Sequence, residues 1–149
     1  MAHLVDSNLL LRWTNKGDPE RLVALAALRK VGVSGETLNT SPQNYTEFWG
    51  SATRPTANNG LGLSPAHAER LVRRMRQLFP LLPDTPAIFD EWLRLVVAAN
   101  VSGRQVHDTR LVAVMLTHGV THILTFNVNV KDFLRFQPFG ITVVHPADV

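Results

Sequence analysis

The sequence predicts an α/β fold built on a central, mainly parallel sheet, and three observations carry that expectation. Short β-rich runs alternate with helical patterns along the chain, as a parallel sheet covered by helices requires. Helix starts are marked at Ser41-Pro42, Ser64-Pro65 and Thr85-Pro86, pairs in which the first residue caps and proline suits the first turn. No repeat, linker or low-complexity tract divides the 149 residues. That length supports one hydrophobic core and is short for two, so one domain over 1–149 is expected.

In chain order, His3 to Val5 reads as a strand that runs into Asp6-Ser7-Asn8, three good cap formers. Leu9, Leu10 and Trp13 follow at helical spacing. A second helix is expected from about Asp18-Pro19-Glu20, with Leu22, Leu25, Ala26 and Leu28 as its apolar stripe and Gly32 as its stop. Leu38 to Thr40 reads as a short strand, and the helix opened by Ser41-Pro42 carries Tyr45, Glu47, Phe48 and Trp49. Thr53 to Ser64, rich in Pro, Asn and Gly, reads as a surface loop. The next helix carries Leu71, Val72, Met75 and Leu78, and Leu81-Leu82 is a candidate strand. After Thr85-Pro86, Ile88, Phe89, Trp92, Leu95 and Val96 are expected on a buried helix face. A last helix is expected from Val106 to His118, ended by Gly119. His122 to Phe126 and Ile141 to Val144 complete the expected sheet.

Composition narrows the function classes. A hydrophobic share of 45% with mean hydropathy near zero describes a globular chain rather than a disordered or membrane-embedded one. No apolar run approaches the 18 or so residues that would cross a bilayer. An acidic residue at position 6 argues against a secretory leader. The absence of cysteine excludes disulfides and thiolate metal sites and fits a reducing, cytoplasmic setting. Fifteen Lys and Arg against twelve Asp and Glu give a formal charge of +3. That excess suits phosphate contact and equally describes an ordinary Arg-rich surface.

Four features carry candidate chemistry, and each has a plainer reading. Asp6 ends a predicted strand, where parallel sheets bind ligands, and it also stands where a helix cap would. Glu47 interrupts an apolar stretch beside Gln43 and Asn44, which is also what a solvated helix face looks like. Asp108, in His107-Asp108-Thr109-Arg110, opens a strongly apolar helix, where the macrodipole alone favours a carboxylate. Thr125-Phe126-Asn127 ends a predicted strand and is followed by Asn129 and Asp132, residues that commonly form turns.

Taken in order, these segments resemble PIN-domain proteins of the VapC toxin class over nearly the whole chain. The resemblance rests on Leu4-Val5-Asp6-Ser7-Asn8, on Pro42 to Trp49 with Glu47, on Val106 to Arg110 with Asp108, and on Leu124 to Phe133. It implies a three-layer α/β/α sandwich and a pocket of acids that binds Mg²⁺ or Mn²⁺ and cuts RNA. Asp6, Glu47 and Asp108 would be the metal-site residues, with Ser7 and Thr125 hydrogen bonding within the pocket. Products with a 3′-hydroxyl and a 5′-phosphate are implied, with no need for a histidine base; His107 reads as a packing or hydrogen-bonding neighbour. A cognate antitoxin protein and a homodimer are the partners implied.

The chain departs from the family pattern where a fourth acid is often found. Asn127 stands there, and the loop to Asp132-Phe133 is longer than usual, so Asn127, Asn129 and Asp132 all compete for that place. The expectation favours Asn127 in the site and Asp132 at its rim. Arg54, Arg73, Arg74 and Arg76, with Arg110, are the candidate RNA-binding cations, a solvated face being the alternative. Two rival readings remain: a PIN-like protein that binds RNA or a partner with little or no cleavage, and a response-regulator-like domain. The second lacks the paired acids near the first strand and the late-strand lysine that such domains use.

Overall fold

Four short strands, β1 (Ala2–Val5), β2 (Thr37–Asn39), β3 (His122–Leu124) and β4 (Thr142–Val144), pair side by side in the order β2-β1-β3-β4. Every pairing is parallel. The computed structural model describes residues 1–149. Six α-helices supply the crossovers: α1 (Ser7–Thr14), α2 (Arg21–Val33), α3 (Pro42–Thr53), α4 (Pro65–Leu78), α5 (Pro86–Ala98) and α6 (Gln105–Thr117), with three short 3-10 turns.

Neighbouring residues of one strand face opposite sides of a sheet, and here they feed two separate cores. Leu4 and Ile123 join α5 and α6 through Ile88, Leu95, Leu111 and Met115, closed by Phe133 and Phe136. Val5 and Leu124 join the other side through Leu9, Leu10, Ala27, Phe48, Met75 and Phe79. The expected three-layer sandwich is therefore observed, with the sheet as its middle layer. No helix is long and apolar enough to cross a membrane.

The strand order places a topological switch between β1 and β3, because the chain leaves β1 for β2 on one side and returns to β3 on the other. Ligand-binding crevices open at such points, at the carboxyl ends of the strands. Asp6 and Thr125 are the residues that immediately follow β1 and β3 there.

Several local expectations are corrected. Helix α2 passes through Gly32 and ends at Val33, with Ser34 as its C-cap; Gly35, at φ +85°, takes the left-handed position that stops it. Its buried stripe is Ala24, Ala27, Leu28 and Val31, while Leu22 is exposed. On α5 Phe89 lies exposed and only Ile88 and Leu95 are fully buried. On α4 Leu78 is likewise exposed. Leu81 makes a single parallel bridge to Thr40 rather than a strand. Residues 53–64 are not wholly irregular, since a 3-10 turn spans Thr56–Asn58.

Candidate active site

Asp6 is nearly buried, at 5% exposure, yet it has more than a cap to make. Its Oδ1 accepts from the Ser7 backbone N–H at 2.7 Å, so the capping role is real. Its Oδ2 accepts from Thr125 Oγ1 at 2.7 Å and from Asn8 Nδ2 at 3.2 Å. The Ser7 hydroxyl lies at 3.5 Å from Oδ1 as well, so donors from three residues hold this one carboxylate. Burial pushes the Asp6 carboxyl up to about 6, and the Glu47 charge adds to the rise against the hydrogen bonds from Thr125 and Ser7.

Asn8 ties this half of the site together. Besides Asp6 it donates to Thr125 Oγ1 at 3.0 Å, and its Oδ1 accepts from the Phe126 N–H at 3.3 Å. The side chain therefore clips the start of α1 to the segment after β3. The sequence marked Asn8 only as a cap former; its bonds to Thr125 and Phe126 lie 117 and 118 residues away, where local pattern gives no signal.

Glu47 reaches the crevice from α3, a helix set by a capping box in which Ser41 and Asn44 exchange hydrogen bonds. Both of its oxygens are held. Oε2 accepts from Ser7 Oγ at 3.0 Å and Oε1 from Gln43 Nε2 at 2.8 Å. Gln43 is itself fixed: it donates to the His107 carbonyl at 2.7 Å and accepts from Arg110 Nη1 at 3.1 Å. The Arg110 guanidinium also donates to Asp84 at 3.2 Å, so its charge is paired there.

Asp108 comes from the first turn of α6. Burial pushes its carboxyl up to about 7, followed by the charges of Asp6, Asp132 and Glu47 and by a proton-sharing contact with Asp132. Four carboxyl groups thus feel one another across the crevice. None of them is in an ion pair; the five ion pairs of the molecule lie elsewhere.

The loop after β3 decides which side chain meets Asp108. Asn127 donates its Nδ2 to Asp132 Oδ2 at 2.9 Å, while its Oδ1 accepts from the Asn129 N–H at 3.2 Å. The Asn127 amide oxygen is thus engaged by the loop itself, and the carboxyl of Asp132 is the group brought beside Asp108. Thr125 Oγ1, besides serving Asp6, accepts from the Asn127 N–H at 2.9 Å.

The other candidate cations lie apart. Arg73 pairs with Glu69 on α4, Arg54 donates to Ser51 near the end of α3, and Arg74 lines a hollow with Trp13, Lys16 and Arg21. Arg76 is exposed on α4. Only Arg110 of that group reaches the acidic crevice, through Gln43.

An all-oxygen donor set of mutually repelling, unpaired carboxylates is what a hard divalent cation takes. No three His, Asp or Glu side chains are gathered into a ready-made cage. A Mg²⁺-type ion does not need one, since it usually keeps several waters and takes one or two carboxylates directly.

Residues 3–135 match the PIN domain family, and the chain belongs to it. A comparison with curated proteins gave no match. Among solved structures, the chain is similar to VapBC2 from Rickettsia felis, solved bound to a promoter DNA fragment. That match has 11% identity and a TM-score of 0.71 over 97% of this chain and 98% of the other. FitAcB from Neisseria gonorrhoeae is 14% identical with a TM-score of 0.69, over 99% of both chains. VapC20 from Mycobacterium tuberculosis, a sarcin–ricin loop cleaving toxin, is 16% identical with a TM-score of 0.64, over 94% of this chain and 96% of that one. At these identities the likeness concerns the fold.

Proposed function

We propose that this chain is a divalent-metal-dependent endoribonuclease and the toxin of a type II toxin–antitoxin pair. The observation that carries the reading is the cluster of Asp6, Glu47, Asp108 and Asp132 at the switch point of the sheet, with no cation paired to any of them. Membership of the PIN family and a fold shared with a ribosomal-RNA-loop-cleaving toxin support it. The VapBC and FitAB assemblies among the similar structures support an antitoxin protein as partner; a homodimer completes the proposed assembly.

Asp6 and Asp108 are the direct ligands in this reading, and Glu47 and Asp132 hold the surrounding waters. Mg²⁺ or Mn²⁺, when bound, would lower the pKa of water and stabilise charge on the scissile phosphate. Ser7, Thr125 and Asn8 keep the Asp6 and Glu47 carboxylates in fixed rotamers, so the site loses little order at the moment of reaction. Glu47, partly open to solvent, orients the attacking water and accepts its proton. The water oxygen bonds to phosphorus, the P–O3′ bond breaks, and the leaving 3′-oxygen takes a proton from solvent. The products are a 3′-hydroxyl and a 5′-phosphate. Asp132 is favoured over Asn127 as the fourth oxygen ligand or water holder, because the Asn127 amide oxygen already accepts from Asn129.

A second reading, RNA or partner binding without cleavage, draws on the same replacement of a usual acid by Asn127. One assay separates the two: cleavage of total RNA by wild type, Asp6→Asn and Asp108→Asn, with Mg²⁺, Mn²⁺ or EDTA. Metal-dependent cleavage by the wild type alone supports the nuclease, and equal behaviour of all three chains rejects it.

A further inference from the structure

The acidic crevice opens on two sides, and the two openings differ in charge. On the α3 side a cleft of about 570 Å³ is lined by Pro42, Gln43, Thr46, Glu47, Asp84, His107 and Arg110. Its one cation, Arg110, is already paired with Asp84. On the other side a cleft of about 430 Å³ lies between the start of α6 and the loop after β3. Asp108 and Asp132 belong to its wall, with His107, Asn127 and Asn129, and it carries Arg104 and Lys131. Both cations are exposed and neither is in an ion pair.

That distribution matters because a polyanion must approach four carboxylates. One divalent ion neutralises half of their formal charge, which still leaves a site that repels phosphate. Two unpaired cations on the rim would offset the remainder, and only the α6 side has them. The loop that bears Lys131 is also held in shape. The Asn129 N–H donates to Asn127 Oδ1, the Lys131 N–H to Asn129 Oδ1 at 3.4 Å, and the Asp132 N–H to the Asn129 carbonyl at 3.1 Å. The longer loop thus carries a cation to the rim and an acid to the interior on adjacent residues.

We propose that Arg104 and Lys131 form a seat for a backbone phosphate of single-stranded RNA beside the scissile one, so that the strand enters from the α6 side. This rests on the nuclease reading and replaces the α4 arginines as the first cations the substrate meets. The two side chains come from different elements, the start of α6 and the loop after β3, and line one cleft. The neutral amides of Asn127 and Asn129 between them carry no charge that would repel it.

The test is equilibrium binding of a fluorescent single-stranded oligoadenylate with Mg²⁺ present, as a function of salt, in the Asp6→Asn background so that the RNA survives. Arg104→Gln with Lys131→Gln should weaken binding roughly 10-fold and lower the salt slope by about one unit. The charge-conserving swap Arg104→Lys with Lys131→Arg should retain both, which guards against a folding defect. Arg29→Gln with Lys16→Gln removes the same charge away from the cleft and should leave the slope unchanged. A slope and affinity equal to the parent in the Arg104/Lys131 double variant would overturn the seat, as would displacement of the RNA by oligoglutamate at equal charge. Cleavage of RNA by the otherwise unaltered chain is run in parallel: cleavage with an unaffected double variant sinks only the seat, whereas no cleavage sinks the reading beneath it.

Discussion

The two halves of the acidic crevice are built on opposite principles. The strand half, around Asp6, is nearly sealed: three donors from Ser7, Asn8 and Thr125 hold one carboxylate. The helix and loop half, around Asp108, is more open, and one of the groups acting on it is another acid, Asp132. Asp6 is raised mainly by burial and partly rescued by its hydrogen bonds. Asp108 is raised by burial and by three other carboxylates together. One half is therefore already organised by the fold, and the other is held under repulsion that a bound cation would relieve.

The largest expected effect falls on the sealed half. Asp6→Ala removes the acceptor shared by Ser7, Asn8 and Thr125, and orphaned buried donors cost about 1–3 kcal/mol each. It should lower the melting temperature and reduce RNA cleavage on the order of 10³-fold, about 4 kcal/mol in the barrier. A variant that melts like the wild type would remove the contrast between the halves.

Next comes the relay that holds Glu47. Arg110→Ala frees the Gln43 carboxamide to turn, and Glu47 loses its fixed donor. Losing a partner that orients a metal-site ligand costs roughly 10–100-fold in affinity or activity. The measurement is a Mn²⁺ titration of cleavage alongside direct Mn²⁺ binding. A fall in turnover with unchanged Mn²⁺ affinity would point to substrate contact by Arg110 instead.

The open half predicts a pH effect of defined sign. The Asp108 carboxyl sits at about 7 when folded against an ordinary 3.8, so the folded state favours its protonated form. Its contribution to stability is present in full below about 3.8 and is lost as pH rises through about 7. Asp108→Asn should therefore stabilise the metal-free protein at pH 8 by on the order of 1 kcal/mol, discounted for partial exposure. The gain should vanish near pH 4. Divalent cation should raise the melting temperature of the wild type at pH 8 and do less for the variant. A gain independent of pH would sink this account.

The smallest effect concerns the loop. Asn127→Ala removes the amide that donates to Asp132, at a cost of about 1 kcal/mol. A cleavage loss of a few-fold is expected, and a thermal melt with a Mg²⁺ titration checks both.

Much of this was legible before any coordinates. Ser41-Pro42 and Ser64-Pro65 do start helices, with Ser41 in a capping box and Ser64 capping the His67 N–H. Local chemistry of that kind needs no distant partner. The exposed Phe89 and Leu22 escaped the same reasoning, because an apolar periodicity cannot say which stripe a neighbouring element will cover. Asp6 was readable both as a cap and as a ligand, and its two oxygens have separate partners that accommodate both roles.

By itself the sequence determined the alternation of strands and helices, the helix starts, the family pattern and the acids that mark it. Each of those follows from neighbours within a turn or two, or from residue order. The tertiary structure alone decided what these acids meet. Glu47 and Ser7 are 40 residues apart, and Thr125 and Asp6 are 119 apart, so their pairing depends on the strand order. The turn hydrogen bonds of the loop after β3 likewise occupied the Asn127 oxygen and carried Asp132 to Asp108. The reason is physical: a switch point exists only once β1 has paired on both sides, and only then do four like charges share one crevice.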